Sequence, residues 1–155
     1  MTSHRVHQYR ATCAWSGSTG EGYERYSRAH ELRAEPAKAT LELSSDPVFR
    51  GDPGRLNPEQ LLVMAASSCQ LLSFLAEAAR AKVDVLRYLD EAEGEMREDE
   101  APVRFAFIRL KPRIEIATGP SLDQVTSLVA RAHDGCYIAN SLKTPVTVEP
   151  TIVFV

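Results

Sequence analysis

Cysteine is scarce in this sequence, and no uninterrupted apolar run is long enough to stand out. Three cysteines in 155 residues are too few, and odd in number, for the disulfide framework of a small secreted domain. The opening ten residues, MTSHRVHQYR, carry no apolar core behind their charges. No secretory signal is therefore expected, and the protein is read as cytoplasmic, its cysteines thiols unless they do redox work. Neither sign of charge dominates. Eighteen basic and 21 acidic residues leave a net charge of −3, without the basic surplus of a general nucleic-acid binder. The longest apolar stretch, Leu61 to Ala81, is interrupted by Ser67, Ser68, Gln70, Ser73, Glu77 and Arg80, unlike the roughly 20 predominantly apolar residues of a membrane span. Neither nucleic acid nor membrane is an expected partner. Repeats, low-complexity segments and linkers are missing too, so residues 1–155 are read as one domain.

What is present alternates between strand and helix patterns. His7, Tyr9, Ala11, Cys13 and Trp15 recur at a period of two, which predicts a strand. The run Gly17 to Gly22 supplies turn chemistry, and Tyr23–Leu32 and Ala39–Leu43 read as further strands of a meander. Residues Ser44 to Leu56 hold two prolines, two glycines and two aspartates and read as a loop. Asn57-Pro58-Glu59 then has the marks of a helix start: a capping side chain, a proline suited to the first turn and a carboxylate at the positive end of the dipole. That helix is expected to run to about Lys82 and, being apolar on nearly all faces, to be buried at the centre of the fold. Ala92 to Met96 and Val103 to Ala117 read as strands, with Pro112 marking a break or edge. Ser121 and Gln124 form a capping box for a helix whose apolar stripe is Leu122, Val125, Leu128, Val129 and Ala132, and Gly135 occupies a position that favours positive φ at a helix end. A last strand carries Val146, Val148, Ile152 and Phe154. The order β-β-β-α-β-β-α-β defines an α+β protein with mostly antiparallel sheet.

The three cysteines differ in setting. Cys13 shares a strand face with Tyr9 and Trp15 and reads as a small core residue. Cys69 lies deep in the long helix, among Ser67, Ser68, Gln70 and small residues that suit close approach by another segment. Cys136 follows the glycine at a helix end and precedes a short segment; if that segment is helical, its N-terminus lowers a thiol pKa. No C-x-x-C pair exists and the four histidines show no ligand spacing, so a metal site is not expected.

Asn57-Pro58-Glu59-Gln60-Leu61-Leu62, with Cys69 ten residues after Glu59 and Cys136-Tyr-Ile-Ala-Asn-Ser141 near the C-terminus, resembles the OsmC/Ohr family of osmotically inducible and organic hydroperoxide resistance proteins. The order of elements resembles that family over nearly the whole chain. The resemblance implies an OsmC-like fold with sheets packed around the long central helix, an intertwined homodimer, and a thiol peroxidase acting on organic hydroperoxides without metal, flavin or haem. It implies a dithiol reductant, such as a lipoylated protein, as electron donor. Cys69 matches the peroxidatic cysteine, Cys136 the resolving one, and Glu59 the carboxylate that holds a catalytic arginine, for which Arg50 is the choice and Arg25, Arg28 and Arg55 are the alternatives. Tyr137 stands where the family often has proline.

Elementary chemistry makes two demands of these roles. A buried thiol needs nearby positive charge or donors to ionise, and a sulfenic acid at Cys69 forms a disulfide only if Cys136 is within reach. Glu59 and Cys69, ten residues apart on one helix, are separated by roughly 15 Å along its axis. Either the Arg50 side chain and its loop span that gap, or Glu59 and Arg50 serve the cysteine of a partner subunit, the reading preferred here. A reading of another class is a non-catalytic member of the same fold that binds a small ligand or senses redox state. A third is a thiol hydrolase or transferase.

Overall fold

Residues 5–155 are described by a computed structural model; the first four residues of the opening segment read above lie outside them. The chain divides into two compact units, Met1–Leu61 and Leu62–Val155, and the elements are α+β as the sequence predicts.

In the first unit, β1 (Thr12–Ala14), β2 (His30–Arg33) and β3 (Thr40–Leu43) form an antiparallel sheet in the order β1-β2-β3. Cys13 faces Leu32 across the ladder and is exposed, which corrects its reading as core. The alternation from His7 survives in only three residues of strand, and Tyr9 is 90% exposed, because no apolar layer of this unit covers it. The strand expected from Tyr23 is likewise confined to its end. Its earlier part bends around Arg28, whose guanidinium lies over the rings of Tyr23 and Tyr26 and donates to both their carbonyls at 2.6 Å. The predicted loop contains one 3-10 turn, Pro47–Phe49, and folds back so that the Ser44 N–H reaches the Leu56 carbonyl at 2.9 Å. Gly51 is obligatory at this crossing, since a Cβ there would lie 1.6 Å from the Ser45 carbonyl oxygen.

The long helix α1 (Pro58–Arg80) starts where the sequence predicts, and Asn57 caps it in a reciprocal box with Gln60, a partner the sequence reading does not name. The Gln60 N–H bonds Asn57 Oδ1 at 2.8 Å, and the Asn57 N–H bonds Gln60 Oε1 at 3.0 Å, satisfying two free amides reciprocally. It ends two residues before the predicted Lys82. Lys82 takes φ 57°, and the bonds from Lys82 to Ala79 and from Val83 to Ala78 close a Schellman turn. The all-round burial expected of α1 is not what one chain provides. Its buried residues are Ala66, Gln70, Phe74 and Ala78, a single stripe at helical spacing, while Leu72 is 64% and Met64 51% exposed. By length and composition α1 is apolar enough to cross a membrane, but that stripe and the bond from Gln70 Nε2 to the Val129 carbonyl tie it into a protein core.

The second unit adds β4 (Val85–Asp90), β5 (Glu93–Arg97), β6 (Arg104–Leu110), β7 (Pro112–Ile116), α2 (Leu122–Asp134), α3 (Tyr137–Ser141), β8 (Val146–Val148) and β9 (Thr151–Phe154). Pro112 does mark a break, dividing the predicted long strand into β6 and β7. The sheets are β4-β7-β9 and β5-β6-β8. Their β4–β7 and β5–β6 pairs are antiparallel, whereas β6–β8 and β7–β9 are parallel, because the chain returns through α2 and α3 instead of a hairpin. The larger core packs Phe74 and Ala78 of α1 with Ile114 and Ile116 of β7 and Val125, Leu128, Val129 and Ala132 of α2. Leu122, counted in that stripe from sequence, is 55% exposed. The smaller core joins Ala66 to Ile108 and Leu110. Gly94 permits close contact here: a Cβ would meet Phe105 at 2.7 Å and Val63 of α1 at 2.9 Å.

Candidate active site

Two elements bring the predicted thiols together. Cys69 sits on α1, half-buried beside the packed stripe. Cys136 is held at the junction of α2 and α3, where its N–H bonds the His133 carbonyl at 3.0 Å, and is 1% exposed. The preceding Gly135 has φ −90°, not the left-handed value predicted; α2 ends instead with the Gly135 N–H on the Arg131 carbonyl at 3.0 Å. The Asn140 side chain donates to the Asp134 carbonyl at 2.8 Å and fastens α3 to that end.

The two thiols act on one another and are driven in opposite directions. Burial pushes Cys69 up, but the Ile138 N–H, the Cys136 thiol, the Tyr137 N–H and the Ser73 hydroxyl together hold it below the ordinary thiol value. Burial also pushes Cys136 up; the Ala139 N–H opposes this, but the bond it gives to Cys69 and the negative charge there leave it above the ordinary value. The helix start therefore activates Cys69 rather than Cys136, the reverse of what the position of Cys136 suggests. Of the pair, Cys69 is the thiol that ionises more readily. Tyr88 lies on the buried side. Burial, then the Asp90 carboxylate and Cys136, hold its phenol far above its usual range, so it remains neutral.

Of the other predicted residues, Glu59 stands half-buried in the first turn of α1 without an ion pair among the described residues. Arg50 adopts a left-handed backbone and pairs with Glu24. Among the alternatives, Arg55 pairs with Glu42 at 3.1 Å, whereas Arg28 is fixed by its two tyrosines. Arg28 also lines a cavity of about 410 Å³ in the first unit with Trp15, Tyr26 and His30.

Sequence reasoning missed the groove in which Cys69 opens. It has a volume of about 660 Å³, walls from Ala65, Leu72, Ala76 and Ile138, and Glu77, Arg80 and Arg131 among its lining residues. Ser73 and Arg80 were findable, since positions 69, 73, 76 and 80 recur at the spacing of one helical face. The contributions of Arg131 and of the Tyr137 and Ile138 amides depend on how α2 and α3 pack, which no local pattern encodes.

The model of the family described as OsmC-like protein matches residues 51–151. This chain belongs to the OsmC-like protein family. Among solved structures, an OsmC-like protein of unknown function from Vibrio cholerae superposes with a TM-score of 0.85 at 27% identity, covering 94% of this chain and 100% of that one. An organic hydroperoxide resistance protein from Elizabethkingia anophelis, with thiocyanate bound, gives 0.72 at 17% identity over 97% and 99% of the two chains. An organic hydroperoxide resistance protein OsmC from Legionella pneumophila gives 0.69 at 19% over 96% and 98%. A search among curated protein sequences finds no significant match. The OsmC-like fold of the chain is thus shared with proteins of hydroperoxide resistance and with one of unknown function.

The opposed thiols give a pH test. A thiol held below its ordinary value is ionised at lower pH, so alkylation of Cys69 by iodoacetamide rises with pH through a midpoint below that of a free cysteine. Cys136→Ala removes one of its donors, and the midpoint moves up; Cys136→Ser, which keeps a donor, moves it less. Peptide mass spectrometry at Cys69 reads both, and an unchanged midpoint in Cys136→Ala counts against the influence of Cys136 on Cys69.

Proposed function

We propose that this OsmC-like protein is a thiol peroxidase that reduces organic hydroperoxides to alcohols. The observation that carries the reading is that Cys69, opening into a groove and held below the ordinary thiol value, is influenced by a buried Cys136 held above it. The Cys69 thiolate attacks the outer oxygen of R–O–O–H. The S–O bond forms as the O–O bond breaks, and the alkoxide takes a proton to leave as the alcohol. Cys69 is then a sulfenic acid. Cys136 gives up its proton and attacks that sulfur; the S–S bond forms, and hydroxide leaves as water once protonated. An external dithiol, such as a lipoylated protein, restores both thiols by exchange and is itself oxidised to a disulfide.

A second copy of the chain is the proposed cover for the outward face of α1, where Met64, Leu72 and Leu75 are exposed. In that homodimer Arg50 and Glu59 of one copy serve the thiols of the other, with the guanidinium stabilising charge on the departing alkoxide. Arg28 is the alternative for the same role, because its stacked guanidinium is already oriented.

The test is a thiol count. One equivalent of cumene hydroperoxide is expected to take the free thiols from three to one per chain within seconds, with a Cys69–Cys136 disulfide in the peptide map and recovery on adding dithiothreitol. Thiols that remain intact contradict the proposal. They would favour instead a small-ligand-binding or redox-sensing protein, for which the Trp15–Tyr26–Arg28 cavity is the observation. Inactivation without a disulfide would favour a thiol hydrolase or transferase.

A further inference from the structure

Behind the thiols, three buried polar atoms have no hydrogen-bond partner among the described residues: Gln70 Oε1, the Tyr88 hydroxyl and His133 Nδ1. Two contacts with β4 bracket Gln70 on α1. The Ser67 hydroxyl donates to Asp90 Oδ2 at 2.5 Å, and the Phe74 ring lies 6.0 Å from the ring of Tyr88. Gln70 stands between Ser67 and Phe74 on one face of the helix, just as Tyr88 and Asp90 share one face of their strand. It is 1% exposed, and its Nε2 donates across to the Val129 carbonyl of α2 at 3.3 Å. Cys136, two turns beyond Val129, is equally buried. It acts on Cys69, the residue before Gln70, and its charge also reaches Tyr88. A carboxamide oxygen and a phenol are thus brought to the inner side of that thiol with nothing bonded to either. Buried polar groups are rarely left so, and an internal water typically makes about three hydrogen bonds to groups of this kind.

We infer that Gln70 and Tyr88 seat an internal water that donates to the Cys136 sulfur as it becomes a thiolate, which makes both side chains positioning residues for the resolving step. The inference rests on the resolving role of Cys136 in the peroxidase reading. The water accepts from the phenol, gives one hydrogen to Gln70 Oε1 and has its second for the sulfur. A neutral thiol gains little from that donor, whereas a thiolate gains a charge-assisted hydrogen bond. The seat therefore acts when Cys136 loses its proton to attack the sulfur of Cys69. That proton goes to the departing hydroxide, and the water is neither consumed nor ionised. The other titratable groups facing this place are Asp90 on β4, Cys69 on α1 and His133 on α2, one turn before Cys136. Ile114, opposite Tyr88 on β7, brings no charge, and α3 turns Tyr137 to solvent.

A disulfide exchange that needs no peroxide tests it. In a Cys13→Ser chain, dithiobis(nitrobenzoic acid) reacts at Cys69 and releases one coloured thiolate. Attack by Cys136 on the Cys69 sulfur then releases a second as the Cys69–Cys136 disulfide forms. Tyr88→Phe keeps the ring against Phe74 and is expected to leave the first release unchanged. The second is expected to slow about 10-fold at neutral pH, the scale of one hydrogen bond to a charged group, and its pH midpoint to rise by about 1. Gln70→Met is expected to do the same, and the double variant to be no slower than either, because one water is lost in all three. The rise in midpoint persists in a His133→Gln background. A second release as fast in Tyr88→Phe as in the parent chain, or slowed no more than the first, overturns the inference. So do losses that multiply in the double variant, and a rise that vanishes with His133. If hydroperoxide is not consumed while the second release behaves as expected, the inference stands and the peroxidase reading fails. If turnover is normal and the second release is indifferent to Tyr88, only the inference fails. Melting curves of the variants confirm that they are folded.

Discussion

Cys69→Ser is expected to abolish hydroperoxide consumption, a loss on the order of 10⁴-fold or more, the scale seen when an enzyme loses its nucleophile. The argument is chemical rather than steric. Serine is close in shape, but its hydroxyl is a far weaker acid than the thiol that the Ile138 and Tyr137 amides help to ionise. Cys136→Ser should behave differently. It leaves the first step intact, so one equivalent of peroxide is reduced and the reaction stops, with Cys69 trapped as a sulfenic acid that dimedone labels. Sustained turnover in either variant would contradict the assigned order of the thiols. The proposed dimer adds one expectation: chains carrying Cys69→Ser, mixed and refolded with chains carrying Glu59→Ala, regain part of the activity. Each mixed pair holds one complete site if the carboxylate acts across the interface. No recovery, with mixed dimers demonstrated, counts against Glu59 acting in trans.

The largest expected loss of stability is at Phe74. Its side chain is fully buried, its ring lies 6.0 Å from that of Tyr88, and it belongs to the cluster that joins α1 to β7 and α2. Phe74→Ala removes this packing and opens a cavity in a close-packed interior, which typically costs about 3–5 kcal/mol. At about 2–4 °C per kcal/mol for a chain of this size, the melting temperature falls by roughly 6–20 °C. Phe74→Leu, which fills most of the space, is expected to recover more than half of that. A shift under about 2 °C in Phe74→Ala would show that Phe74 is not a keystone of this core.

The sequence was most informative where one residue's chemistry decides its local structure. The helix start at Asn57-Pro58, the Ser121 cap, the break at Pro112 and the buried run Val125, Leu128, Val129 and Ala132 all depend on short-range rules. It was least informative where cover comes from elsewhere. The alternation His7–Trp15 is real, yet a strand forms only from Thr12 to Ala14, because alternation states a preference for a covered face without supplying the cover. The same distinction explains α1, whose apolar surface exceeds what one chain buries. At β4 the run Val85–Asp90 has no clear alternation, and its strand was missed; the Asp90 carboxylate, which accepts from Ser67 Oγ at 2.5 Å and the Lys111 N–H at 2.7 Å, marks its end only once the fold is known. In the candidate site the two cysteines stood out only through the resemblance of their surroundings to the OsmC/Ohr pattern. Their unequal ionisation was not legible, because it depends on which way the amides at the start of α3 point.

The parallel strands at the end of the chain also bear on its synthesis. Ile108 pairs with Val146, and Ile114 with Ile152, so β6 and β7 each keep a bare edge until β8 and β9 have been made. At about 5–20 residues per second, a nascent chain with those edges exposed persists for seconds, an interval in which an open strand edge is a template for pairing with other chains. A ribosome stalled just before β8 would hold a polypeptide with every candidate site residue already translated and both sheets of the second unit still unfinished.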